Sequence, residues 1–324
     1  MQKIEKINMT IGRFQPFTIG HLNMINEGNA KCIVYQIKSK EMPDNLANLK
    51  IGGRKVRKEN IQAVIDFMNA GATGELDKVE DELIKRPFTN ELILKELDIV
   101  KQNNQNIIDV VLVTNAFEAF ARFNKFILDN RDEYEAQYWM CGDDRADNYK
   151  DIIEKSKDAL AIEQNGEEFE NVIKDTIEVN TGRGRTKGVS GTAVRAAIIN
   201  NDKQAFTKIM PPGVDTMFDE FVAAYDDFRT RLEQITESYN VTDKYLGDMY
   251  KIFEQYDGDN IEEQFLKMMS DSNNFNTLMY AAVNIDEALF EQHIEAQDER
   301  ILKNIRIFGN TYRKVYESYC RCFK

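Results

Sequence analysis

Ile7-Asn8-Met9-Thr10-Ile11-Gly12-Arg13-Phe14-Gln15-Pro16-Phe17-Thr18-Ile19-Gly20-His21 is the stretch whose reading sets the fold. Ile7, Met9 and Ile11 alternate at strand spacing, a turn bounded by Gly12, Pro16 and Gly20 follows, and Leu22 and Ile25 continue at helical spacing. The order is strand, loop, helix. A helix beginning at such a turn presents unpaired backbone N–H groups and the positive end of its dipole, which stabilise an anion placed there. His21 adds a side-chain donor at the same place.

Ser190-Gly191-Thr192-Ala193-Val194-Arg195 repeats the scheme. Ser190 and Thr192 are residue types that cap helices and donate hydroxyl hydrogen bonds, Gly191 admits close backbone approach, and Arg195 falls in the first turn or so of the helix that follows. Two anion sites in one α/β domain imply a nucleoside triphosphate. Taken singly, each feature has a plainer reading: a serine that only caps, an exposed helical arginine, a histidine at a helix start. Their joint occurrence in this order is what favours a ligand.

These residues resemble the HIGH-type nucleotidyltransferases, and the lead-in from Gly12 to Phe17 is most similar to the nicotinamide mononucleotide adenylyltransferase branch. Thr18 and His21 match the family's first motif, and Ser190, Thr192 and Arg195 match its second. The more familiar form of this lead-in has histidine at the position of Thr18. Arg86-Pro87-Phe88-Thr89 resembles the segment after the second strand, although Leu92 and Ile93 stand near where a basic residue is expected. Gln137 to Arg145, which includes Gly142-Asp143-Asp144-Arg145, resembles the strand and nucleotide-contacting loop before the last crossover. Thr176 to Asn180 resembles the strand that follows, and Met210-Pro211-Pro212-Gly213-Val214-Asp215 the exit from the last helix. The resemblance spans residues 1–215.

It implies a doubly wound α/β domain with a parallel sheet, and adenylyl transfer from ATP to a phosphorylated acceptor, nicotinamide mononucleotide first among acceptors, with release of pyrophosphate. An ionised acceptor phosphate needs no protein nucleophile and no general base, only positioning and neutralisation of the leaving group. The residues implied for catalysis are Thr18, His21, Lys187 and Arg195. Those implied for the nucleotide are Gly12, Arg13, Phe14, Gly20, Gly142, Asp143, Arg145, Ser190, Gly191 and Thr192. Lys187 shares a glycine-broken basic loop with Arg183 and Arg185, and Arg13 faces either the acceptor or the triphosphate. Magnesium is expected on the substrate phosphates, with no dense protein ligand set. Sibling readings are cytidylyl transfer and adenylyl transfer to phosphopantetheine. A reading of another class is a nucleotide-binding module without turnover, similar to nucleotidyltransferase-like proteins of tailed phages.

Composition sets the outer limits. The 324 residues carry a net charge of -13, which speaks against general nucleic-acid or anionic-membrane binding. No run of 18 apolar residues occurs and the first residues lack a signal peptide's apolar core, so a cytoplasmic protein is expected (the host cytoplasm, if phage-encoded). Cys32, Cys141, Cys320 and Cys322 form no framework of paired spacings and read as free thiols.

Charge divides the chain. Residues 216–298 carry 19 acidic and 5 basic side chains, whereas residues 299–324 carry 2 and 7. Pro211-Pro212-Gly213 marks the cut, giving a nucleotidyltransferase domain over 1–215 and an all-α domain over 216–324. In the latter, Met217, Phe218, Phe221, Val222, Tyr225 and Phe228 recur at helical spacing, as do Tyr245 to Phe253 and later stretches. The pattern predicts a bundle of four or five helices, with Tyr312, Tyr316 and Tyr319 in its core. This domain is also the candidate surface for self-association or an assembly partner. An insertion over 39–85 contains a basic turn, Ile51 to Lys58, read as a solvated face, and two predicted helices at Ala63 to Met68 and Glu80 to Ile84.

Overall fold

The structure, a computed structural model, describes residues 4–39, 49–51, 53–162, 166–182 and 188–254. In chain order its elements are β1 (Glu5–Gly12), α1 (Ile19–Glu27), β2 (Lys31–Ile37), β3 (Lys50–Ile51), β4 (Arg54–Lys55), α2 (Lys58–Asn69), α3 (Lys78–Leu83), α4 (Asn90–Gln102), β5 (Ile107–Val113), α5 (Ala116–Asp129), β6 (Tyr134–Met140), α6 (Ala146–Glu154), β7 (Ala159–Ile162), β8 (Glu167–Glu170), β9 (Glu178–Asn180), α7 (Gly191–Ile199), α8 (Lys203–Ile209) and α9 (Phe218–Glu254). They fall into two compact units. The first comprises Met1–Met42, Phe67–Glu75 and Asp81–Phe228; the second comprises Pro43–Asp66, Leu76–Glu80 and Arg229–Lys324.

The first unit holds a five-stranded sheet in the order β5-β2-β1-β6-β9, and every pairing is parallel. Chain order runs outward from β1 on one side and then restarts on the other. The reversal falls between β1 and β6, and in open α/β sheets ligands bind in the crevice beyond the carboxyl ends of the strands at such a point. The doubly wound α/β fold expected from sequence is therefore present.

β1 is buried on both faces, as a central parallel strand should be, so Ile7, Asn8, Met9, Thr10 and Ile11 all lie inside. Its two buried polar residues, Asn8 and Thr10, are both satisfied. Thr10 Oγ1 donates to the Met140 carbonyl at 2.9 Å, joining the two strands that flank the reversal. Pairing with β6 slips between Ile7 and Met9, and there Asn8 Oδ1 accepts the Tyr138 N–H at 3.1 Å while its Nδ2 donates to the Gly28 carbonyl at 3.4 Å. A side chain thus replaces the backbone partner that the irregularity removes. Beside it, Trp139 is fully buried and stacks with Tyr149 of α6 at 4.4 Å and Phe120 of α5 at 5.5 Å. Each such pair contributes about 0.5–1.5 kcal/mol beyond area burial.

The aromatic stripe at the start of α9 belongs to this unit. Phe218 packs on Phe206 of α8, Phe221 and Tyr225 pack on Phe88, and the Tyr225 hydroxyl donates to the Ile84 carbonyl at 2.9 Å. Lys95 of α4 pairs with Glu220 at 2.7 Å. Residues 218–228, assigned from sequence to the helical domain, thus complete the core around Arg86-Pro87-Phe88. The two periodic stretches Met217 to Phe228 and Tyr245 to Phe253 meet in one helix of 37 residues, α9. The remaining periodic stretches, Tyr312, Tyr316, Tyr319 and the pair Cys320 and Cys322 lie outside the described residues.

In the second unit, β3 and β4 pair antiparallel, giving a hairpin at the basic turn read from sequence, with Arg54 and Lys55 exposed. The two helices predicted in the insertion are found as α2 and α3. In α2, Ile61, Val64 and Ile65 are buried at helical spacing. Asp77 Oδ1 caps α3 by accepting the N–H groups of Val79 and Glu80 at 2.7 and 2.8 Å. Among the described residues no helix is long and apolar enough to cross a membrane.

Candidate nucleotide site

The loop Arg13–Thr18 leaves the carboxyl end of β1 beside the sheet reversal and feeds directly into α1. Phe14 takes φ = 40°, a conformation that a bulky side chain rarely adopts. Its ring is turned inward, packing at 5.0 Å on Phe17 and at 5.2 Å on His21. Gly12 is needed for that packing, because a Cβ there would stand 2.7 Å from Phe14 Cε1. Phe14, singled out in the sequence for nucleotide contact, thus turns its ring into the core beside His21.

His21 is the third residue of α1 and reaches back over the helix start. Its Nδ1 accepts the Thr18 N–H at 2.9 Å and lies 3.0 Å from Thr18 Oγ1, with Thr18 buried. The reach-back stands where a capping box would place a glutamate. Because Nδ1 accepts, the ring's proton sits on Nε2, making Nε2 a hydrogen-bond donor at the helix N-terminus. Thr18 therefore acts on His21 first, holding its tautomer and its orientation.

α7 supplies the second half. Ser190 caps it, its Oγ accepting the Ala193 N–H at 3.1 Å. The Arg195 guanidinium then links the two segments: Nη2 donates to Thr192 Oγ1 at 3.1 Å and Nη1 to the Gln15 carbonyl at 3.4 Å. Only 7% of Arg195 is exposed, which excludes the plainer reading of a solvated helical arginine. Gly191 lies against the same carbonyl: a Cβ there would stand 3.3 Å from Gln15 O and 3.1 Å from Arg195 Nη1. Two stretches far apart in sequence are thus neighbours at the carboxyl end of the sheet.

Other candidates take different places. Arg13 is exposed and pairs with Glu82 at 3.2 Å, while its carbonyl accepts from Gln36 Nε2 at 2.8 Å. Gly20 is the second residue of α1. Gly142, Asp143 and Arg145 follow β6, the strand paired with β1; residues Asp143–Arg145 form one 3-10 turn whose side chains are exposed, and Arg145 lies 3.8 Å from Asp144. Lys187, with Arg183 and Arg185, lies outside the described residues.

Two supporting residues escaped the sequence reading. Glu96 of α4 is fully buried; its Oε2 accepts the Phe17 N–H at 3.2 Å, and Oε1 has no partner among the described residues. The available signal was its place in the apolar stripe Ile93, Glu96, Leu97, Val100, where a glutamate is out of character. Burial pushes its carboxyl well above the usual carboxylate range, against a smaller opposite pull from the Phe17 bond. The folded chain therefore keeps a proton that the unfolded chain releases above the ordinary carboxylate range. Stability should fall as pH rises from there towards the folded-state value, with a slope approaching about 1.4 kcal/mol per pH unit. Glu96→Gln removes that slope, so between pH 5 and pH 8 its melting temperature should gain on that of the wild type; parallel curves would show that Glu96 is ionised in the fold. The second residue, Gln36, is fully buried at the end of β2 and fastens the loop at Arg13 as Glu96 fastens it at Phe17.

No family model matches the chain, and no curated protein matches it. Among solved structures it is similar to a bifunctional NMN adenylyltransferase/ADP ribose pyrophosphatase from Francisella tularensis, determined with AMP and a manganese ion. The identity is 13%, the match covers 75% of this chain and the TM-score is 0.36. The match spans 55% of the length of that bifunctional chain.

Proposed function

We propose that the crevice between the loop after β1 and the start of α7 binds a nucleoside triphosphate, ATP first. On this reading the chain transfers the adenylyl group to a phosphorylated acceptor, nicotinamide mononucleotide first. An oxygen of the ionised acceptor phosphate attacks the α-phosphorus, the bond to the bridging oxygen breaks, and pyrophosphate leaves. His21 Nε2 and the first N–H groups of α1 and α7 are the donors that would meet the charge on the triphosphate. Thr18 fixes the His21 ring, and Ser190 and Thr192 fix the start of α7. One observation supports the reading: the Arg195 bond to Gln15, which ties the first turns of α7 to the loop that leads into α1 at the sheet reversal.

Among the described residues no three His, Cys, Asp or Glu side chains gather as a metal would require. Magnesium would be carried on the triphosphate, where it neutralises phosphate charge; Asp143 and Asp144 are the exposed carboxylates nearest in sequence to the β6 end.

A second reading, binding without turnover, is favoured by the burial of Arg195 and its engagement with protein groups. Pyrophosphate release separates the two. An enzyme releases it only when ATP and a phosphorylated acceptor are both supplied. Tight ATP binding with no release across a panel of acceptors, including nicotinamide mononucleotide and phosphopantetheine, would reject the transferase.

A further inference from the structure

The cations beside the first loop and α7 already have carboxylate partners. Asp81 and Glu82, at the end of α3, stand on them: Arg13 Nη1 is 3.2 Å from Glu82 Oε2, Arg195 Nη2 is 3.8 Å from Asp81 Oδ1, and Lys85 reaches both carboxylates, at 2.5 Å to Asp81 and 3.1 Å to Glu82. Three cations therefore surround two carboxylates on adjacent residues, an arrangement of charge like that of cations around a short phosphate chain.

We propose that Asp81 and Glu82 are built-in placeholders for the substrate's phosphates: they hold Arg13, Lys85 and Arg195 together until a polyphosphate binds and displaces them. The proposal rests on the reading that a polyphosphate occupies this crevice. It goes further in giving the insertion a role, since α3 lies within it. A guanidinium pairs with a carboxylate or a phosphate through the same planar fork, so exchange costs little geometry. Asp81 and Glu82 are partly exposed, at 45% and 34% of their side chains, so their pairs are weak enough to give way. A phosphate chain brings more charge and more acceptor oxygens to the same cations.

The sign of the effect separates a placeholder from a mere structural brace. Binding of inorganic tripolyphosphate and of ATP is measured by calorimetry for the wild type, for D81N/E82Q, and for a control, E167Q/E168Q, which removes the same charge from the exposed strand β8. The placeholder predicts that D81N/E82Q binds about five- to tenfold more tightly, each pair lost as competitor contributing a few-fold, while the control is unchanged. Equal or weaker binding by D81N/E82Q would overturn it, as would equal tightening in the control, which would make net charge the cause. Should the double variant melt before titration, E82Q alone is expected to bind about threefold more tightly, and an unchanged affinity there would be equally decisive. If neither ligand binds the wild type or D81N/E82Q, the polyphosphate site itself falls, and the placeholder with it.

Discussion

His21→Ala is expected to lower adenylyl transfer about 10²–10³-fold in kcat, the usual loss when one preorganised donor is removed from a developing anion. The residue does two things that must be separated. Its Nδ1 satisfies the Thr18 N–H at the start of α1, which leaves the ring proton on Nε2. Loss of the first should cost about 1 kcal/mol, the ordinary value of a helix cap. His21→Glu distinguishes them, because a glutamate at the third helical position reaches back to the cap but cannot donate while ionised. Its melting temperature should lie near that of the wild type, and its activity should be no better than that of His21→Ala. Activity restored by glutamate would mean that the histidine only caps the helix.

Arg195→Ala should damage both stability and binding. The guanidinium is buried and joins Thr192 to the Gln15 carbonyl, so truncation leaves a partly buried carbonyl without its donor and a void between α7 and the first loop. The lost bonds and the void together cost about 2 kcal/mol, and in a unit of this size that lowers the melting temperature by about 4–8 °C. Triphosphate affinity should drop at least about tenfold, since the two helix starts are no longer held together. Arg195→Lys keeps the charge but cannot span two acceptors with one planar fork, so it should recover part of the stability and little of the affinity. Full recovery by lysine would show that charge alone matters there.

What the sequence disclosed was local. Strand spacing at Ile7, Met9 and Ile11, the glycine-bounded turn, and Ser190 as a cap are short-range patterns that one chain segment enforces on itself, and each stands in the structure where the residues put it. The meeting of Gln15 with Arg195 and Thr192 could be inferred only from the order of two motifs, because no periodicity encodes a contact between such distant residues. Glu96 hid in an apolar stripe. Its role depends on which amide lies above it, and Phe17 is 79 positions away. Phe218, Phe221 and Tyr225 show the same limit at the other end: their spacing predicts a buried helix face, yet spacing does not say whether the covering surface is another helix of a bundle or, as found, Phe88 and Phe206 of the α/β unit. The use of Asn8 in bridging the slip against β6 follows from pairing register alone, which the sequence does not spell out. Nothing in their own segment marks Asp81 and Glu82, whose partners, Arg13 and Arg195, are brought beside them only by the fold.

The most direct measurement is a crystal structure of the protein soaked with a non-hydrolysable ATP analogue and magnesium. A single triphosphate is expected, within hydrogen-bonding distance of His21 Nε2 at the start of α1 and of the Gly191 and Thr192 amides at the start of α7. A nucleotide held elsewhere, or phosphates touching only one of the two helices, would contradict the shared site on which the transferase reading depends.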